Sequence, residues 1–234
     1  MNSVEVCLTP ELIHQHELTG KTVVVVDIFR ATSCIVTGLA FGVRAIVPVS
    51  KVDECLELGS QGMITAGERD GKKVKQFDIG NSPFDYQNHK FIDREVAITT
   101  TNGTIAIEQS QGAAETVIGS FLNLRATADY LKGRNQDIVI HCAGWKGNPN
   151  IEDTLFAGAL IEELGYNIDG DSAIMAADLY QRHKGDLLTA AQKSGHARRL
   201  AGFGVEKDIV FCMKFDEYNE VVRLDGKRLV KVSD

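Results

Sequence analysis

Short apolar runs recur along the chain at Val23–Val26, Ala45–Val49, Met63–Thr65, Val96–Thr100, Thr116–Ile118 and Asp137–His141. Each is rich in β-branched residues and is followed by a polar turn and then by a helical pattern. After the first run, Ile35, Val36, Leu39 and Ala40 fall on one helical face, and Gly42 is placed to stop that helix. Strands alternating with helices in this way form βαβ units on a largely parallel sheet. The pattern predicts an α/β fold, three layers in the order α/β/α around a mostly parallel, mixed sheet.

The end of the chain breaks the rhythm. Val221–Leu224 and Leu229–Val232 flank Asp225-Gly226, a dipeptide suited to a type I′ turn, and predict a C-terminal β-hairpin. Between Asp171 and Arg199, helix formers interrupted by Gly185 and Gly195 predict two short helices covering one face. Glu152 and Asp153 read as the acidic first turn of a helix running to Leu164, where they complement the helix dipole. No repeat, low-complexity tract or Pro/Gly/Ser-rich linker divides residues 1–234, so the expectation is a single α/β domain or two intimately packed lobes.

Composition then removes whole classes of function. A chain of 234 residues is long enough to bury a full core, and no apolar run approaches the roughly 20 residues needed to span a bilayer. Glu5, Glu11 and Glu17 interrupt the N-terminal stretch and no basic segment precedes it, so a signal peptide is not expected. Five cysteines without a C-x-x-C pair argue against a disulfide framework or a structural zinc site and suit a reducing cytoplasm. The net charge of −7, with no block of basic residues, argues against nucleic acid as a partner. An acidic protein that binds an anion must do so through a local cluster of Arg, Lys and backbone N–H groups, with or without a metal. For a soluble enzyme the base-rate assembly is a homodimer.

In open α/β sheets ligands bind beyond the carboxyl ends of the strands, so the residues after each run are the ones to inspect. They are Asp27-Ile28-Phe29-Arg30-Ala31-Thr32, Gly67-Glu68-Arg69-Asp70-Gly71, Thr99-Thr100-Thr101-Asn102-Gly103-Thr104 and His141-Cys142-Ala143-Gly144-Trp145-Lys146-Gly147, joined by the loop Phe77-Asp78-Ile79-Gly80-Asn81-Ser82-Pro83. Singly each is ordinary: Asp27 reads as a helix cap, Glu68-Arg69 as a solvated turn, Thr101–Thr104 as a turn and N-cap. Jointly they place carboxylate, guanidinium, hydroxyl and amide at successive strand exits. Oxygen ligands without a His/Cys cluster suit Mg²⁺, and Arg with Gly-rich turns suits phosphate or carboxylate.

Several phosphate chemistries fail on the residues. A P-loop would need glycine at Ala66 and Ser or Thr at Lys73, and no cysteine has an arginine six residues on. Asp27-Ile28-Phe29 resembles the nucleophile segment of haloacid-dehalogenase-like phosphatases, but Phe29 stands in the place of their second Asp.

In order along the chain, Asp27-x-x-Arg30-Ala31-Thr32, Gly67-Glu68-Arg69, Phe77-Asp78-x-Gly80-Asn81-Ser82-Pro83, Thr100-Thr101-Asn102-Gly103-Thr104, the Asn123 segment, Gly144-x-x-Gly147 and Glu152-Asp153 resemble the 2-phosphosulfolactate phosphatases. The resemblance implies Mg²⁺-dependent hydrolysis of 2-phosphosulfolactate to 3-sulfolactate and phosphate, a step of coenzyme M biosynthesis. That substrate is a small polyanion of about −3 to −4 charge, taking phosphate's second pKa as roughly 6. On this reading Asp27, Glu68 and Asp153 are expected metal ligands, and Arg30 and Arg69 anion clamps. Thr101, Asn102 and their backbone N–H groups are expected to receive phosphoryl oxygens, and Thr32, Gly103 and Thr104 are further expected substrate-binding residues. Lys146, Asn81 and Ser82 are expected to meet the sulfonate or carboxylate. Two alternatives stand beside it: a haloacid-dehalogenase-like phosphatase forming an aspartyl-phosphate on Asp27, and a non-catalytic small-anion binding protein.

Overall fold

The computed structural model describes residues 2–232. All six apolar runs are strands: β2 (Thr22–Val26), β3 (Ala45–Pro48), β4 (Ile64–Arg69), β6 (Glu95–Thr99), β7 (Glu115–Gly119) and β8 (Ile138–Cys142). Three further strands lie outside those runs, β1 (Ser3–Cys7), β5 (Lys72–Lys73) and β9 (Asn167–Ile168). With the hairpin strands β10 (Val222–Asp225) and β11 (Arg228–Lys231), they form one sheet in the order β5-β4-β6-β3-β11-β10-β7-β2-β8-β1-β9.

The C-terminal hairpin is not at the edge of this sheet. It is inserted in the middle, with β11 antiparallel to β3 and β10 antiparallel to β7. On one side β4, β6 and β3 are mutually parallel, and on the other β7, β2, β8, β1 and β9 are. Three antiparallel pairings separate these groups, so the two parallel halves run in opposite directions. Six strand steps lead from β2 to β4. At roughly 20–25° of twist per step they accumulate about 120–150°, which turns the carboxyl ends of the two halves toward the same side.

Alternation along the strands sends side chains to helices on both faces. Val24, Val26, Ile138 and Ile140 pack with residues of α5 (Leu124–Arg134) and α6 (Ile151–Leu164). Val23, Val25 and Val139 face the opposite layer, with α1 (Ala31–Ala40) and α4 (Gly103–Gln109). Ile46, Ile64, Val96 and Ile98 from the other half of the sheet join this second cluster, so both halves share one core. Every residue of α1 but the last is buried, as expected of a helix whose sequence is apolar or small on all sides.

Three local expectations are corrected. The central residues of the C-terminal turn are Gly226 and Lys227, because Asp225 pairs with Arg228, and of the two only Gly226 has positive φ, unlike a type I′ turn. The Asp-Gly pair with positive φ at both residues is Asp70-Gly71, which joins β4 to β5 and makes Glu68 and Arg69 strand residues rather than an exit loop. The segment after Asp171 holds three helices instead of two, α7 (Asp171–His183), α8 (Leu187–Gln192) and α9 (Gly195–Ala201), because Ser194 accepts from the Ala197 N–H and starts a new helix where glycine alone suggested a break.

Candidate active site

Asp27 leaves β2 in a turn closed by Thr32. The Thr32 N–H and hydroxyl both donate to the Asp27 carbonyl, at 3.0 and 2.9 Å, and the Asp27 N–H donates to Thr32 Oγ1 at 3.1 Å. The Asp27 carboxylate accepts from the Ala31 N–H at the start of α1 (3.3 Å). Gly103 brings the β6–α4 loop against it, since a Cβ there would lie 2.7 Å from both Asp27 Oδ2 and the Ala31 methyl. Burial pushes the Asp27 carboxyl up to about 6, against the pull of His196, and the Glu68 carboxylate adds to the rise.

Glu68 reaches the same cavity from β4. Its Oε1 accepts from the Thr101 N–H (2.7 Å), and its Oε2 from the Gly71 N–H (2.5 Å) and the Thr101 hydroxyl (3.2 Å). Arg30 is buried and ion-paired with Asp208 on α10 (Glu206–Cys212), whose other oxygen accepts from the Ser82 hydroxyl at 3.0 Å. Asp27, Arg30, Glu68, Asn81, Thr101 and Asn102 line one narrow cavity, together with Trp145, His196 and Arg199. A larger hollow beside the hairpin turn, lined by Pro48, Lys51, Glu54 and Lys227, gathers none of these groups.

Other expected site residues stand elsewhere. Arg69 points away from the cavity, donating to the carbonyls of Glu68 and Ser50 and to Thr99 Oγ1 at 2.7–2.9 Å. Thr104 exchanges hydrogen bonds with Thr100 and caps its own turn. Lys146 is an exposed residue paired with Asp70 at 2.7 Å, and its N–H approaches Asn102 Oδ1 at 3.4 Å. Asp153 lies behind Asp27, fully buried, with its two oxygens accepting from the N–H groups of Ile28 (2.9 Å) and Gly144 (3.1 Å). It ties the β2–α1 loop to the β8–α6 loop. Burial, with Glu152 and Asp27 nearby, holds its carboxyl well above the usual range.

Glu152 and Asp153 do form the acidic first turn of α6, and both are buried there. Glu152 is fully buried, and its Oε1 accepts from Nδ1 of His196 at 2.6 Å. That bond leaves Nε2 as the free nitrogen of an imidazole that borders the cavity. His196, Arg199 and Trp145 went unassigned by sequence reasoning, as did the supports Glu152 and Asp208. The first two lie on a helix with no strand before it, so proximity to a strand exit could not single them out. Trp145 carries a signal that was available, being the one tryptophan of the chain and sitting inside a Gly-rich strand exit.

Among the described residues, no three His, Cys, Asp or Glu side chains gather as a self-sufficient metal site. Mg²⁺ does not need one, because it keeps several waters and binds through one or two carboxylates plus substrate phosphate. Asp27 and Glu68 on one cavity, with the buried Asn81 Oδ1 lacking a hydrogen-bond partner, are a donor set of hard oxygens that fits it.

The fold is of the α/β class, and its cavity gathers two carboxylates, Asp27 and Glu68, with two arginines, Arg30 and Arg199. The profile of the 2-phosphosulpholactate phosphatase family matches residues 7–227, and the chain belongs to that family. It is 40% identical over 230 residues to a probable 2-phosphosulfolactate phosphatase of Pseudothermotoga lettingae, covering 97% of this chain and 98% of the relative. A probable 2-phosphosulfolactate phosphatase of Thermotoga petrophila is 40% identical over 204 residues, covering 87% and 89%. One from Caldanaerobacter subterraneus is 37% identical over 219 residues, covering 91% of each chain.

Proposed function

We propose that this chain is an Mg²⁺-dependent phosphatase that hydrolyses 2-phosphosulfolactate to 3-sulfolactate and inorganic phosphate. The observation that carries this reading is the meeting of Asp27 and Glu68 with Arg30 and Arg199 around one cavity. Two carboxylates repel a phosphate unless a cation lies between them, and Arg30 is already partly neutralised by Asp208. The acidic composition, and the lack among the described residues of any helix long and apolar enough to cross a membrane, support a small-molecule enzyme of the cytoplasm without a nucleic-acid partner.

Asp27, Glu68 and Asn81 Oδ1 are the groups that would hold Mg²⁺, which supplies charge neutralisation of the phosphoryl oxygens. Arg30, fixed by Asp208, presents its remaining N–H groups to the phosphoryl group. Asp153 positions the backbone on which Asp27 stands. As the bond from phosphorus to the C2 oxygen breaks and a water oxygen takes its place, the leaving oxygen needs a proton. His196, held through Nδ1 by Glu152, would relay through Nε2 the proton that the attacking water gives up.

Phosphate release from 2-phosphosulfolactate, 2-phospholactate and p-nitrophenyl phosphate tests this reading in metal-stripped protein and after Mg²⁺ is restored. The expected result is release that depends on Mg²⁺ and is fastest with 2-phosphosulfolactate. Undiminished turnover after exhaustive chelation would overturn the metal assignment, and no release from any ester would overturn the function.

A further inference from the structure

Two buried hydrogen-bond donors on the cavity wall have no acceptor within the protein, Nε1 of Trp145 and Nε of Arg199. Buried N–H groups are almost always satisfied, so a neighbouring pair of unpaired ones is a place made for an acceptor that the chain does not supply. The pair is also preorganised. The guanidinium carbon of Arg199 lies 4.6 Å from the centroid of the Trp145 ring, and its Nη1 donates to the Asp70 carbonyl at 3.2 Å. Lys146 Nζ stands 5.2 Å from the same ring. Among the described residues Arg199 has no carboxylate within ion-pairing distance, whereas Arg30 is spoken for by Asp208. Its Nε is left for a ligand.

We propose that Trp145 and Arg199 form the subsite for the substrate's non-reacting sulfonate, on a different wall from the phosphoryl subsite of Asp27, Glu68 and Arg30. This deepens, and rests on, the phosphatase reading of the cavity. A sulfonate is a weakly hydrated monoanion with three oxygens in a tetrahedral array. It suits a stacked guanidinium, itself weakly hydrated, beside an apolar ring with one N–H. A phosphate dianion is better matched to the metal-binding carboxylates and Arg30. The two subsites let one small cavity separate two tetrahedral anions by charge and hydration rather than by shape.

Calorimetric titration of the Mg²⁺-loaded protein with 3-sulfolactate, malate and inorganic phosphate tests the assignment, malate carrying a carboxylate where sulfolactate carries the sulfonate. Wild type is expected to bind sulfolactate more tightly than malate. Trp145→Phe, which keeps the ring and removes the N–H, and Arg199→Gln are each expected to weaken sulfolactate about 10- to 100-fold and leave phosphate within about twofold. Equal losses for sulfolactate and phosphate, unchanged sulfolactate affinity, or a preference for malate would overturn it. Failure of the phosphatase reading looks different: sulfolactate binding keeps this dependence on Trp145 and Arg199 while no ester releases phosphate.

Discussion

Asp27 carries an electrostatic burden that its neighbours do not lift. Its carboxyl is raised from the ordinary 3.8 to about 6, first by burial. Between those values the folded protein holds a proton that the unfolded chain has lost. The resulting stabilisation is therefore complete below about 3.8 and disappears as pH rises through 6, leaving a buried charge at neutral pH. Asp27→Asn removes that charge, so the metal-free variant should be more stable than wild type at pH 7.5, by something on the order of 1–3 kcal/mol. Near pH 4 the difference should vanish. Urea unfolding at the two pH values measures it, and a variant less stable at both would refute the electrostatic account. At this scale the sequence was informative where a carboxylate follows an apolar run, as at Asp27 and Glu68, which the structure brings to one cavity. It was silent where a residue acts through a distant partner: the Arg30–Asp208 and His196–Glu152 pairs span 178 and 44 positions.

The elements meet at the site because glycines let them approach. Gly103 is the clearest case, with Ala31 and Asp27 each 2.7 Å from where its Cβ would be. Gly103→Ala must push the start of α4 away from the β2–α1 loop. We expect kcat/KM to fall about 10- to 100-fold, the effect of a displacement near 1 Å in a catalytic arrangement, with a stability loss of about 1–3 kcal/mol. Gly112→Ala, at an exposed position where a Cβ meets nothing within 4 Å, is the control and should leave both unchanged. Thermal unfolding and steady-state kinetics on the two variants decide the matter, and matching behaviour would mean that the close approach is not needed. Elements with strong periodicity, β2 with α1 and β6 with α4, were legible in the sequence. The β4–β5 turn was not, because Asp70-Gly71 in a polar stretch reads as a loop until Lys72 and Lys73 pair back on β4.

Across the whole molecule, the α/β/α layering followed from alternation, yet the position of the C-terminal hairpin did not. Local pattern specifies that Val222–Asp225 and Arg228–Lys231 pair with each other, and contains nothing that places them between β3 and β7. That placement reverses one parallel half relative to the other, and the accumulated twist then brings loops from both halves around one cavity. The mostly parallel, mixed sheet is as expected, whereas the convergence of its strand exits depends on where the hairpin sits. The central claim is that this shared cavity, with Asp27 at its base, removes the phosphate. The most direct test is phosphate release from 2-phosphosulfolactate by wild type and Asp27→Asn in parallel, at saturating Mg²⁺, with folding of both checked by circular dichroism. A folded variant slowed at least about 100-fold in kcat is the predicted result; a folded variant that turns over at the wild-type rate would contradict it.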